Sequence, residues 1–457
     1  MKRTPSNEDF QFSRRDALRG LAVTAGLVTV PGALAACSSS TSSSSSSSAS
    51  TSSAGAGSSS ASAATSGGTI SFGSNYSDPA PKQAFAALVA NAKQSTSVNI
   101  TVNTVDHNTF QNDITSYLQG TPDDLATWFA GYRMQYFAAQ GLLAPIDDVW
   151  DKIGTNFSDA VKSLCKGTDG HYYFVPIYNY PWVVFYNKST FTQKGYTVPA
   201  TWDDLMTLVK KMKSDGLIPF GFADKDQWPA LGLFDILNMR INGFDYHIKL
   251  MHNQASYTDP QVTDVFTHWA ELLPYMQSGA AGRIWQDGVK VLEAKQAGMM
   301  FQGTNQIGAQ YVTDGKKLDD LGFFPFPAIN PTYGQDYIDA PMDGFILPAK
   351  AKNKDAAKQV LEYIGTGAAE ATYLKTDQWD VAVATGAQVP TYNSIQTASV
   401  QAMANLKGVA QFGDRDTAPP MATALETAIL KFIANPATSG IKPMQASLAS
   451  QAKSIFG

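Results

Sequence analysis

From Cys37 to Ser66 the chain offers, beyond the cysteine itself, only serine, threonine, alanine and glycine. Such a tract has almost no apolar surface to bury, so burial cannot offset the entropy of ordering it. Serine- and glycine-rich sequence behaves as a flexible tether. The folding unit is thereby confined to Gly67–Gly457, which is long enough for two or three domains. Whatever lies before the tract is separate from that core.

The stretch before the tract has three zones. Met1–Gly20 carries Lys2, Arg3, Arg14, Arg15 and Arg19, Leu21–Ala36 is uncharged and apolar or small, and "LAAC" ends at Cys37. A charged start, a short apolar run and a small-residue junction are the marks of an export signal. The run is shorter than the ~20 residues that span a bilayer, and Pro31 interrupts it. "SRRDALRG" resembles a twin-arginine signal, with Ala17 where that pattern prefers Phe, so the Sec route stays open. "LAAC" resembles a bacterial lipobox, which implies acylation of Cys37 as the first residue of the mature chain. The expected layout is an export signal over 1–36 and a lipidated cysteine with tether over 37–66. The working part would then sit at the extracellular face of the membrane.

Charge narrows the function. The chain is net −5, and residues 1–36 hold five basic and three acidic side chains, so removing that +2 leaves −7. An acidic chain argues against nucleic-acid binding. After Cys37 only Cys165 remains, so no internal disulfide forms. With five histidines in the chain and no HExxH, a metal site is not expected, nor is any cofactor.

Periodicity then gives the class. Ile70 and Phe72 alternate in a strand, Phe85, Leu88, Val89 and Ala92 follow at helical spacing, and Val98, Ile100 and Val102 share one face of a second strand. "FQNDITSYLQG" reads as a helix closed by Gly120, and "LATWFAG" as the next strand and turn. Thr201 caps a helix over Thr201–Gly216 with Asp204 at its third position, and further helices are expected over Asn353–Gly365 and Met421–Ala434. Alternation of this kind predicts an α/β fold with mainly parallel sheets covered on both faces. Ligands of such sheets sit at the carboxyl ends of the strands. That places Asn75–Tyr76, Asp106–His107 and Trp128–Arg133 on one rim.

There is no GxSxG, P-loop or CxxC pair. What recurs is aromatics beside short polar groups: Trp128, Tyr132 and Arg133; Tyr178, Asn179, Tyr180 and Trp182; Asp226 and Trp228; Asn305 and Gln306; Asp343 with Gly344; Asp414 and Arg415. A sugar presents an apolar C–H face, which flat rings cover, and a rim of hydroxyls that Asp, Asn and Arg bond directionally. This points to binding without reaction.

These stretches, in this order, resemble the extracellular sugar-binding proteins of ABC importers, the maltose-binding-protein family. "GTPDDLATWFAGYRMQYFAAQGLLAPIDD" resembles the family's first-lobe sugar-contact segment. "GHYYFVPIYNYPWVVFYNKSTFTQKGYTVPATWDDL" resembles its first interdomain crossing, "AGMMFQGTNQIG" a sugar-stacking turn, and "APMDGFILPAKAKNKDAAKQVLEYI" the return crossing. The resemblance implies two α/β lobes with a ligand cleft between them: lobe one from 67–178 and 341–387, lobe two from 179–340 and 388–457. It also implies a monomer that closes on a carbohydrate, expected to be an oligosaccharide, and delivers it to membrane permease subunits served by a separate ATPase. Carried over, Trp128–Arg133 and Asp226 with Trp228 fall on sugar contacts. Asn179–Tyr180 stand where the family has an acid. Thr304–Asn305 and Ala422 stand where it has stacking tryptophans, so Trp182, Trp228 and Trp379 are the expected platforms. An anchored polysaccharide-active enzyme, and a two-lobe binder of a peptide or metal ion, remain as alternatives.

Overall fold

The computed structural model describes residues 68–457 apart from 388, 390 and 405. The export signal, Cys37 and the tether over 37–66 lie outside the described residues. The strands in chain order are β1 (Thr69–Ser74), β2 (Asn99–Thr104), β3 (Leu125–Phe129), β4 (Phe174–Asn179), β5 (Trp182–Asn187), β6 (Ile218–Phe220), β7 (Ala297–Gly303), β8 (Leu321–Phe324), β9 (Tyr337–Asp339), β10 (Met342–Ile346) and β11 (Gly408–Ala410). They form two main sheets, β2-β1-β3-β10-β4 and β6-β7-β5-β8, and a small β11-β9 pair. Each main sheet with its helices is one lobe.

The local signals hold. Ile70 and Phe72 are buried on β1, and the helix Pro79–Thr96 buries Phe85, Leu88, Val89 and Ala92 against the first sheet. The helix Trp202–Ser214 starts on a capping box: Thr201 Oγ1 accepts from Asp204 N, and the Asp204 carboxylate accepts from Thr201 N. Such a cap contributes about 1 kcal/mol. Leu205, Leu208, Val209 and Met212 are its buried face. The helices Lys354–Ile364 and Pro419–Ala434 lie where the periodicity puts them.

The sheets are less parallel than the alternation predicts. β1 pairs parallel with β2 and β3, but β10 runs antiparallel to both β3 and β4, and β5 runs antiparallel to β7 and β8. The cause is the crossing. The chain leaves β4 in the first sheet, passes Tyr180–Pro181 and enters β5 in the second. It returns after β9 through Ala340–Pro341 into β10. A strand arriving from the other lobe begins at the cleft, where the local strands end. The carboxyl ends of β1, β3, β4 and β7 and the starts of β5 and β10 therefore meet in one place.

Two further contacts lie at the junction of the lobes. Asn179 exchanges backbone hydrogen bonds with Val381, both at 3.1 Å. Trp379, fully buried, packs with Ala80 of the first-lobe helix and Ala309 of the helix Thr304–Thr313. Gly308, on that second helix, leaves room for the indole, since a Cβ there would lie within 2.5 Å of Trp379 Cγ.

Candidate functional site

The strand ends converge on a cavity of about 60 Å³ between the lobes. At roughly 10–15 Å³ per water, that is room for about four to six waters, the scale of a single sugar ring. Its walls are Tyr76, Tyr178 and Tyr180 from the first lobe and the crossing, and Trp182, Trp228, Trp285 and Phe412 opposite them.

The floor is ionic. The turn that follows β11 is wound tightly: Phe412 has φ +99°, and the N–H groups of Arg415 and Asp416 both donate to Phe412 O, at 2.8 and 2.9 Å. A left-handed φ at a bulky residue is stored strain of a kind that clusters at binding sites. The turn presents Asp414 and Arg415 to the cavity. Arg133 Nη1 donates to Asp414 Oδ2 at 2.6 Å and to Gln111 Oε1 at 2.8 Å. Arg415 donates to Asp343 Oδ1 at 2.6 Å and to Tyr180 OH at 3.0 Å, while Tyr178 OH donates to Asp343 Oδ2 at 3.0 Å. The Arg415 guanidinium lies 3.9 Å from the centre of the Phe129 ring, and that of Arg133 lies 5.1 Å from Trp128. All four charged side chains are buried. A bulge between Asp343 and Gly344 turns Asp343 toward this network. Gly344 itself is required by space, because a Cβ there would strike the Val175 carbonyl.

Enclosure and the Arg415 charge push the His107 imidazole down to about 4, so it is neutral at ordinary pH. Its Nε2 lies 2.6 Å from Gln111 Nε2. Burial pushes Asp343 and Asp78 above the usual carboxylate range; Arg415 opposes this at Asp343 and Gln286 at Asp78. Five buried polar atoms of the lining have no hydrogen-bond partner among the described residues: Tyr76 OH, Trp182 Nε1, Gln306 Oε1, Asp414 Oδ1 and Arg415 Nε, the last two 3.8 Å apart. A buried polar atom left unpaired costs about 1–3 kcal/mol. Donors and acceptors of this kind on aromatic walls suit a compact polyhydroxylated ligand.

The structure brings Tyr76, His107, Tyr180, Trp182, Trp228, Asn305, Asp343, Asp414 and Arg415 to the cavity wall. The remaining nominated residues lie elsewhere. Asp106 is exposed and caps the helix His107–Gln119, accepting from Thr109 N at 3.0 Å. Trp128 is buried in the first-lobe core, where its ring supports Arg133. Arg133 stands behind Asp414, and Tyr132 packs on His252 with ring centres 4.9 Å apart. Asn179 belongs to the crossing, and Thr304 is buried at a helix start with its N–H donating to Pro181 O at 3.1 Å. Asp226 bonds Asn108 across the rim at 3.0 Å. Trp379 fills the seam between the lobes, not the cavity wall. Ala422 is buried in the helix Pro419–Ala434.

Ser77, Asp78, Pro81, Gln111, Trp285, Ala309 and Phe412 also line the cavity and were missed as site residues by the sequence reading, whereas Asn75, Tyr178 and Gln306, singled out there beside the nominated residues, do reach it. Strand-end position signals Asn75, which accepts from Thr127 Oγ1 at 2.9 Å. Gln111 carries no local signal, because polar residues on a helix normally face solvent. No group of three or more His, Cys, Asp or Glu side chains among the described residues could hold a metal ion.

A family model described as bacterial extracellular solute-binding protein matches residues 76–371. Among solved structures, the chain superposes with a TM-score of 0.84 and 64% identity on the bacterial solute receptor AcbH, over 86% of this chain and 100% of that one. That receptor shows an exclusive substrate preference for β-D-galactopyranose. Among curated proteins, an uncharacterized ABC transporter extracellular-binding protein of Pyrococcus horikoshii is 30% identical over 260 residues, 56% of this chain and 57% of that protein. The alpha-glucosides-binding periplasmic protein AglE of Rhizobium meliloti is 25% identical over 278 residues, 56% of this chain and 59% of AglE. The matches thus span somewhat over half the length of these curated relatives.

Proposed function

The chain belongs to the bacterial extracellular solute-binding proteins, and from that premise we propose that it captures a carbohydrate outside the cell by lobe closure. It delivers the sugar to the permease subunits of an ABC importer whose ATPase is a separate chain. The carrying observation is the enclosed cavity of about 60 Å³, aromatic-walled and lined by unpartnered polar atoms. It fits one pyranose ring. Likeness to AcbH makes β-D-galactopyranose the first candidate. A longer sugar would present its terminal ring to the same walls.

We assign lobe one to 67–178 with 341–387 and lobe two to 179–340 with 388–457. The place of β10 in the first sheet and the packing of the helix Pro419–Ala434 on Pro229–Asn242 support this division. The ligand contacts we assign are the cavity-wall residues, and Arg133 acts through Asp414. The protein works as a monomer, exported by the twin-arginine or Sec route and anchored through Cys37. The cavity-facing carboxylates Asp343 and Asp414 are each paired with an arginine, which suits holding a ligand and not turning it over.

Thermal unfolding against a panel of mono- and oligosaccharides tests this. A ligand at 100 times its Kd adds about 2.7 kcal/mol. Galactose is expected to raise the Tm, to be recovered unchanged, and to lose its effect in Trp182→Ala. Stabilisation by peptides or metal ions alone would sink the sugar assignment, and recovery of cleaved sugar would sink the binding role.

A further inference from the structure

We propose that Asn108 is the latch of the closed cleft, a positioning residue that holds lobe two against lobe one without touching the ligand. The proposal rests on the reading of the protein as a sugar receptor that closes. Asn108 is the second residue of the helix His107–Gln119 on the first lobe, directly after the cavity residue His107. The Asp106 cap fixes that helix start. The Asn108 amide spends both of its ends on the other lobe. Nδ2 donates to Asp226 Oδ1 at 3.0 Å, and Oδ1 accepts from Trp228 Nε1 at 3.2 Å. A side-chain amide offers a donor for the carboxylate and, on a separate atom, an acceptor for the indole.

The second lobe is shaped to receive it. Gln227, between the two partners, has φ +67°, a left-handed conformation at a non-glycine residue. Strain of that kind persists where surrounding structure over-determines it. The other oxygen of Asp226 accepts from Trp285 N at 3.0 Å, so the carboxylate is held in place before closure. The neighbouring rim contact, Gln286 Nε2 to Asp78 Oδ1, is a longer 3.4 Å. Asn108 and Asp226 lie outside the cavity lining. Their bond therefore biases the closed state whichever sugar is enclosed, and the apparent Kd scales inversely with the closed fraction.

The test is galactose affinity and dissociation rate in the wild-type chain, Asn108→Ala, Asp226→Ala and the double variant. Asn108→Ala is expected to weaken binding on the order of tenfold, the size set by a hydrogen bond to a carboxylate. The loss should appear as faster dissociation, with the ligand-free Tm within about 2 °C of wild type. The double variant should lose less than the two single losses combined, because both changes remove the shared Asn108–Asp226 bond while Asn108→Ala alone removes the bond to Trp228. Unchanged affinity in Asn108→Ala, or penalties that simply add, would overturn the latch. A wild-type chain that ignores galactose would instead sink the sugar reading, and the latch with it.

Discussion

The floor of the cleft and its mouth are built from opposite materials. The floor is charged and fully buried: Arg133 with Asp414, Arg415 with Asp343, the Arg415 guanidinium flat on Phe129. The mouth is half-buried and joins an amide, a carboxylate and an indole. A buried charge that loses its partner is strongly destabilising, whereas an exposed polar contact can exchange with water at little cost. Both floor pairs, like the mouth contacts, join residues of lobe one to residues of lobe two. The two regions therefore differ in the cost of parting them: high for the buried charges of the floor, low for the polar contacts of the mouth.

The largest expected effect breaks the floor. Arg415→Ala leaves Asp343 buried without its cation; it should cost about 3–5 kcal/mol in denaturant unfolding and abolish sugar binding. A binding-competent Arg415→Ala would mean that the floor is no more essential than the mouth. Trp228→Phe keeps an aromatic wall of smaller area and removes the indole donor to Asn108. It should weaken binding about three- to tenfold, with unfolding nearly unchanged.

Acid probes the border between the two. His107 is held at about 4 against an ordinary 6.5, by enclosure first and by Arg415 second. Gln111, Asp414, Arg133, Phe129 and Trp228 also face it or its neighbours. A lowered histidine favours the neutral form in the closed state, while an open cleft lets it take up a proton nearer 6.5. Affinity should therefore be level above pH 6.5 and fall as the pH drops toward 4. Titration calorimetry across that window should show the fall in wild type and a flatter profile in His107→Gln. The smallest effect is the control: Thr201→Ala removes the capping box, which should cost about 1 kcal/mol of stability and leave affinity untouched.

The fold was legible wherever a local rule decides it. Apolar spacing at Ile70, Phe72 and Phe85, and the Thr201 cap, need only neighbours in sequence. The strand-end rule found Tyr76 and His107 for the same reason. It could not see that β5 and β10 arrive reversed, because their direction is set by crossings between distant segments. Among the aromatics the limit is sharper. Trp128 and Trp182 both stand in apolar runs and Trp228 and Trp379 both follow "DQ", yet Trp182 and Trp228 line the cavity, Trp128 braces an arginine and Trp379 fills the seam. The surroundings of Trp182, Trp228 and Trp379 are decided by segments distant in sequence. Asn108 escaped notice because its partners lie 118 and 120 residues away.

Trp379, wedged between Ala80 and Ala309 beside the Asn179–Val381 bridge, sits close to the crossing segments. In mechanical terms it is a bearing. It is seated where relative displacement of the two bodies is least, while the rim is where the same rotation sweeps the longest arc. A small angular error at the bearing is multiplied by the length of the arm. The snug notch at Gly308 is consequently a matter of angular tolerance: play there would arrive at the rim as a misaligned clasp.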